Sequence, residues 1–506
     1  MSNHLLIKLK KTLHCLTSLH NIHNMPPRNW RVSHLLSVSL VILLSFLSQA
    51  SNPEKPNIVF LLADDLGWTG TASFGSDFYE TPNLDQLASE GTSFTNAYAA
   101  CTVCSPTRAS ILTGMYPAKL RLTDFIAGQN RPYARMKIPE WTKGLKPELT
   151  TMAEAMKGGG YRTIHIGKWH LDFPHQNEQG PLTHGFDLSH EKPEGTRGYF
   201  ISNNTARSLK LKTNYSTDYL TDKAVEEIEQ TKDAPFFMYF AYHTPHTPIQ
   251  AREDLVEYFK SKVDPEAIHN NPTYAAMVMS LDMSVGRIME SLEKKGLREN
   301  TIIIFTSDNG GLTQRYGKRD FFTENIPLRR GKGSAYEGGI RVPAIVSWPG
   351  VIAEGTRCDT PIMSIDYYPT LLDATGIDGI ASHNEDLDGK SLLKLFNEPK
   401  QKIRRKLFWH YPHYHAGGDG PYSAVRFGKW RLIEFHETGN VELYDLSKDI
   451  GETYDRSDFN LKTRDQLKVA LKKWRNSIGA QMPTKNPDFD PQREYEVVKK
   501  PVKQDT

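Results

Sequence analysis

Four short apolar runs in this 506-residue chain each end in side chains that can hold a charge or move a proton. "NIVFLLADD" ends in Asp64 and Asp65, "YRTIHIGKWH" in Lys168 and His170, "PFFMYFAYHTPH" in His243 and His246, and "TIIIFTSDNGG" carries Asp308 and Asn309. Taken alone, either acidic pair reads as a solvated turn. Together at neighbouring strand ends they read differently, because three carboxylates a few ångströms apart repel by up to about 4 kcal/mol per pair at an effective dielectric near 20. A cation removes that cost. All four candidate ligands, Asp64, Asp65, Asp308 and Asn309, offer oxygen, which favours a hard ion; calcium, tolerant of crowded carboxylates, comes before magnesium.

Other residues extend the set. Lys332 lies in "RRGKGSAYEGGIRVP", a Gly-rich turn before a strand, and Lys168 and His170 flank Trp169. A lysine beside glycines is otherwise a loop charge, and a single histidine a structural donor. Near a cation they would serve an anionic ester. His246, between Pro245 and Pro248 on a stiffened turn, is better placed than His243 as a general acid. "CTVCSPTRASILTG" places two of the four cysteines at Cys101 and Cys104. The stretch has three readings: a redox pair without the usual setting, half a zinc site without a second pair at finger spacing, or a modified nucleophile.

Each reactive run needs a buried strand with its carboxyl end at a shared edge. Between the runs lie helical patterns, the longest being "TYAAMVMSLDMSVGRIMESLEKKG", with an apolar stripe of Met277, Leu281, Val285, Ile288 and Leu292. Alternating strands and helices predict an α/β fold: a large mixed, mostly parallel sheet flanked by helices, with ligands at the carboxyl ends of its strands. After about residue 385 the pattern changes. "SAVRFGKWRLIEF" and "GNVELYDLS" read as antiparallel strands and "TRDQLKVALKKWRNSI" as a last helix, so a smaller C-terminal α+β domain is expected over 401–506, after a catalytic domain over 53–400.

The composition, 38% hydrophobic and 24% charged, is that of a globular chain. Basic residues, an apolar run from Leu35 to Leu47 and the small-residue site Ser48-Gln49-Ala50 give residues 1–50 the form of a leader and cleaved signal peptide. The run is shorter than the roughly 20 residues that span a bilayer, so a secreted or periplasmic protein without a stable membrane anchor is expected. Residues 1–24 fit neither a signal peptide nor an anchor, which suggests a start at Met25. Losing the five basic residues of this segment takes the formal charge from +3 to −2. No basic field for nucleic acid remains. Three cysteines are left, an odd number that implies no disulfide framework.

"CSPTR" followed by "ASILTG" resembles the signature of the formylglycine-dependent type I sulfatases, in the alkaline phosphatase superfamily. The resemblance continues through "PNIVFLLADDLG", "GKWHL", "PHTPIQ", "SDNGG", "RRGKGSAYEGGIRVP" and "VELYDLSKDIGET", in the family's order. It implies an alkaline-phosphatase-like fold and oxidation of Cys104 to formylglycine by a formylglycine-generating enzyme. Its hydrated aldehyde would capture a sulfuryl group on one oxygen and release sulfate with the other. The resemblance implies calcium ligands at Asp64, Asp65, Asp308, Asn309 and the modified Cys104, with Arg108 supporting the modified residue. It further implies that Lys168 and Lys332 bind sulfate oxygens, that His246 protonates the leaving alcohol, and that His170 assists sulfate release. The signature usually has Ser or Ala where this chain has Thr107, and Cys101 has no role beyond that of a small buried residue. The expected substrate is a sulfated carbohydrate, with His410 and His413 of "HYPHYH" as partners for sugar hydroxyls or, equally, as solvated loop residues. A phosphonate or phosphate ester hydrolase on the same scaffold, or a glycan-binding protein with a dead site, are the rivals.

Overall fold

The computed structural model describes residues 55–498 apart from 175–179, 233 and 314–320. The expected signal peptide, with its apolar run Leu35 to Leu47, lies outside the described residues. Among the described residues no helix is long and apolar enough to cross a membrane.

Eighteen elements position the site. In chain order they are β1 (Asn57–Ala63), α1 (Pro82–Ser89), β2 (Thr92–Phe94), α2 (Cys104–Thr113), α3 (Met152–Gly158), β3 (Arg162–Gly167), β4 (Leu188–His190), α4 (Ser216–Glu229), β5 (Phe236–Ala241), α5 (Pro272–Lys294) and β6 (Thr301–Ser307). There follow β7 (Ala344–Ser347), β8 (Thr356–Cys358), β9 (Lys406–Tyr411), β10 (Tyr422–Phe427), β11 (Trp430–Phe435), β12 (Val441–Asp445) and α6 (Leu461–Ser477). The eight-stranded sheet has the order β8-β2-β7-β6-β1-β5-β3-β4. All neighbours from β6 to β4 are parallel, and β7 alone runs against the rest.

Each central strand is buried on both faces, as a parallel sheet under two helical layers requires. Along β1, Ile58, Phe60 and Leu62 enter one core, and Val59, Leu61 and Ala63 enter the other. Strand β5 alternates in the same way. The second core takes the stripe of α5, whose Leu281, Val285, Ile288 and Leu292 are fully buried. Asn271 caps that helix, its side chain accepting from the Tyr274 amide at 3.0 Å, and Pro272 supplies its first turn.

Strands β9 to β12 form a smaller C-terminal antiparallel sheet in sequential order. Leu467 and Leu471 of α6 cover one of its faces, against Val425, Leu432 and Leu443. The other face supplies Leu407, Trp409, Tyr411 and Tyr422 to a core that also holds Ala100, Cys101 and Val103. The C-terminal sheet thus braces the turn that precedes α2.

The strand register decides where the chemistry falls. Ala63 pairs with Ser307, Leu62 with Ala241, and Ala241 with Gly167. Four strands therefore stop at nearly one level, and the residues that follow three of them, Asp64, Asp308 and Lys168, emerge at the same edge. The shared burial of the α5 stripe predicts that Leu281→Ala lowers stability by about 2–5 kcal/mol. Val469→Ala, on the exposed face of α6, should stay within about 0.5 kcal/mol of the parent. Urea unfolding monitored by tryptophan fluorescence measures both.

Candidate active site

At the carboxyl edge of the sheet the side chains form a lattice of buried charges. Arg108, from the second turn of α2, donates Nη2 to Asp308 Oδ2 at 2.7 Å and Nε to the same oxygen at 3.0 Å. Its Nη1 donates to the Lys168 carbonyl at 2.8 Å, which ties the helix to the end of β3. Lys168 Nζ meets Asp64 Oδ2 at 2.7 Å. Lys332 Nζ meets both Asp65 oxygens, at 2.6 and 2.9 Å. Asn309 donates its amide to Asp65 Oδ1 at 2.7 Å, and the Asp65 backbone N–H donates to Asp308 Oδ1 at 3.1 Å. Both Asp65 (φ 64°) and His170 (φ 59°) take left-handed backbone, rare for side chains other than glycine.

Cys104 opens α2, all ten residues of which are buried. Its Sγ lies 3.4 Å from His170 Nδ1. A carbonyl can only accept, so His170 Nε2 donates to the Ile126 carbonyl at 2.6 Å, and Nδ1 is the nitrogen that faces position 104. Burial pushes the Cys104 thiol up, but Lys168, His170 and Lys332 outweigh it and hold the thiol well below its ordinary range. Thr107 has a visible role. Its hydroxyl accepts from the Cys101 amide at 3.1 Å and lies at the same distance from the Cys101 carbonyl, pinning the turn that delivers Cys104. Cys101 is a buried core residue whose thiol burial pushes up.

The carboxylates differ. Burial would raise Asp64 and Asp65, yet Lys168 holds the first well below the usual carboxylate range, and Lys332 holds the second below it. Burial and then the Asp64 charge push Asp308 up to about 8. Two oxygen acceptors remain: Asp64 Oδ1 and Asn309 Oδ1 are buried without a hydrogen-bond partner. Asp64, Asp65 and His246 also bring ligand atoms within 4.8 Å of one another. Unfilled acceptors beside three carboxylates are what a hard divalent cation needs, so the residues present fit one.

A cavity of about 670 Å³ opens above this floor. Cys104, Asp64, Lys168, His170, His246 and Lys332 line it, and its volume lies within the range of about 300–1,000 Å³ usual for organic ligands. His246 donates Nδ1–H to the Thr247 carbonyl at 2.7 Å, leaving Nε2 toward the site, 3.6 Å from Asp65 Oδ2. Asp64, Asp65, Cys104, Arg108, Lys168, His170, His246, Asp308, Asn309 and Lys332 are therefore gathered at one place.

His410 and His413 are placed elsewhere. His410 points inward from β9, with Nδ1 2.8 Å from Ser423 Oγ and Nε2 2.9 Å from the Gln481 carbonyl. His413 is buried with Nε2 2.8 Å from Thr123 Oγ1. Burial pulls both down to about 3, and neither lines the cavity. The histidine of that segment in the cavity wall is His415, close against Gly333, where an added Cβ would come within 2.1 Å of His415 Nδ1 at a φ of +82°. Gly333 thus lets the Lys332 loop pass under the histidine. Lys192, Tyr199 and Phe125 also line the wall without having stood out in the sequence.

Residues 56–377 match the sulfatase family, and residues 331–477 match the family described as N-sulphoglucosamine sulphohydrolase, C-terminal. A sulfatase of Formosa agariphila is 30% identical over 91% of this chain and 96% of its own. Human arylsulfatase A is 31% identical over 82% of this chain and 86% of its own. The crystal structure of Ps i-CgsB superposes with a TM-score of 0.71 at 29% identity, covering 86% of this chain and 94% of that one. It has also been solved in complex with k-i-k-neocarrahexaose.

The Lys332–Asp65 pair carries a prediction about stability. In the presence of chelator at neutral pH, Lys332→Met should cost about 3–5 kcal/mol, the usual loss when one member of a buried pair is removed. Asp65 is held below its ordinary range, so this contribution is complete above the ordinary aspartate pKa of about 3.9 and is lost as pH falls through the folded value. Unfolding curves of both proteins, from about pH 7 down to about pH 3, should show the gap closing at the acidic end. A gap independent of pH would assign the loss to packing instead.

Proposed function

The chain belongs to the sulfatase family and is a sulfate-ester hydrolase, and from that premise we propose that it cleaves sulfate esters of carbohydrates with a formylglycine made from Cys104 and a bound calcium ion. One observation carries this reading: the side chain of Cys104 shares a cavity floor with Asp64 and His170, next to Asp65, Asp308, Asn309, Lys168 and Lys332. Support for carbohydrate comes from the relative solved with k-i-k-neocarrahexaose and from a cavity larger than a sulfuryl group requires. Export through residues 1–50, oxidation by a formylglycine-generating enzyme, and a division into a catalytic part (53–400) and a C-terminal part (401–506) belong to the same proposal.

Asp64, Asp65, Asp308 and Asn309 would hold the calcium, which supplies Lewis acidity toward the sulfate oxygens and the hydrated aldehyde at position 104. The protein's own residues do the rest. The three carboxylates of the floor are matched by Arg108, Lys168 and Lys332, so an added divalent ion leaves the floor positive and suited to an anionic ester. Lys168 and Lys332 face the ester oxygens from the ends of two separate segments, which fixes the sulfuryl group between them. Arg108 holds Asp308 and the Lys168 backbone in place. His170 Nδ1, with its other nitrogen committed to the Ile126 carbonyl, can take a proton from the side chain at 104. His246 Nδ1–H is fixed on the Thr247 carbonyl, so a second proton on Nε2 points into the cavity toward a leaving oxygen.

Three measurements test this. Mass spectrometry of the peptide containing position 104, from protein expressed with a formylglycine-generating enzyme, should find the aldehyde, and Cys104→Ala should release no sulfate; an unmodified thiol in fully active enzyme would overturn the proposal. Chelation should abolish sulfate release and calcium should restore it. His246→Ala should cut turnover of sugar sulfates by roughly 10²–10⁴-fold, but turnover of 4-nitrophenyl sulfate far less, since nitrophenolate leaves without a proton. Side-by-side assay of aryl phosphonates identifies the rival activity, which should be the weaker.

A further inference from the structure

The cavity wall holds a lysine that the chemistry above does not use. Strand β4 lies at the edge of the sheet, parallel to β3, with His190 opposite Ile166. Two residues further along each strand come Lys192 and Lys168, so the same edge presents both lysines, one on the floor and one on the wall. Both line the cavity.

Their surroundings differ in the respect that decides function. Lys168 and Lys332 are neutralised by Asp64 and Asp65. Lys192 is half-buried, donates Nζ to the Gly198 carbonyl at 3.0 Å and sits 4.7 Å from the centre of the Tyr199 ring. Among the described residues no carboxylate pairs with it. A carbonyl and an aromatic face hold an ammonium in position without cancelling its charge. Burial pulls Lys192 down to about 8, and the Asp64 charge, already paired with Lys168, offsets only part of that. The adjoining His243 is kept neutral, by burial first and then by Lys192 and Lys168, and so offers no competing charge.

The wall that carries Lys192 is built to stay in place. Tyr199 donates its hydroxyl to the His246 carbonyl at 2.7 Å and also to that of His243, joining this segment to the turn that holds the proposed acid. Gly198, at φ +61°, lies where a Cβ would come within 2.2 Å of Gln250 Oε1. The carbonyl that receives Lys192 is therefore fixed by close packing.

We propose that Lys192 is a specificity-determining residue that receives a second anionic group, a sulfate or a carboxylate, carried by the same sugar chain beside the ester being cut. This rests on the carbohydrate reading above. The enzyme would then select glycans with two negative groups close together over singly charged ones.

The test compares kcat/KM for three matched sets of short sulfated oligosaccharides: singly sulfated, doubly sulfated, and sulfated with an adjacent uronic acid. The parent enzyme should prefer at least one doubly charged set by roughly tenfold or more, the size of one charge-assisted hydrogen bond. The set preferred identifies the group as sulfate or carboxylate. Lys192→Gln should erase the preference through KM, and Lys192→Arg should retain most of it. A parent enzyme without the preference, or a Lys192→Gln variant that keeps it, would overturn the proposal while sugar hydrolysis itself stands. Hydrolysis of 4-nitrophenyl sulfate but of no sulfated sugar would instead sink the carbohydrate reading, and this inference with it. Salt gives a readout that needs no variant: KM for the preferred set should rise more steeply with ionic strength than KM for the singly charged set, and equal slopes would count against Lys192.

Discussion

Asp64, Asp65 and Asp308 are buried within a few ångströms of one another, and the surrounding fold keeps Asp64 and Asp65 charged while burial and the Asp64 charge push Asp308 up to about 8. Each is met by a cation from a different part of the chain: Arg108 from a helix, Lys168 from a strand end and Lys332 from a glycine-rich loop. Self-repulsion on this scale would unfold an unassisted site, since a buried charge without a partner costs several kcal/mol. Parallel strands stopping at the same level deliver the acids, and the backbone bonds from Asp64 to Thr244 and from Asp308 to Ala63 hold the level. The C-terminal sheet contributes from behind, by packing on the turn that leads into α2.

Much of this could be read along the chain. Short apolar runs that end abruptly in Asp, Lys or His are what a doubly covered parallel strand looks like, and Asp64, Lys168 and Asp308 are legible that way. The α5 stripe was equally plain, because its period matches a helix with one buried face. The strand expected after the Gly-rich turn of Lys332 is β7, whereas β2 and β8 were not anticipated, being short and lacking a reactive end to mark them.

The site histidines show where pattern fails. "HYPHYH" was expected to offer His410 and His413, but His410 belongs to β9 and points inward, His413 is buried, and His415 reaches the cavity. Which member of such a cluster faces a ligand depends on where the strand stops, and nothing local in the residues states that. Lys192 was invisible for another reason: within "SHEKPEGTRGYF" it looks like one more solvated loop charge, and only the pairing of β4 with β3 brings it to the edge. The floor comes from strands and the walls from loops, so the first is legible by periodicity and the second by topology.

The complete burial of α2 has a bearing on the order of events in the life of the chain. Cys104 touches the cavity, but every residue of its helix is enclosed, and the preceding turn is locked by Thr107 and covered by Trp409 and Tyr411. Another protein's catalytic groove could not grip this segment once it had closed. An enzyme that rewrote the side chain at 104 would therefore have to meet an open polypeptide, and its chance to do so would end when the C-terminal sheet closed over this turn.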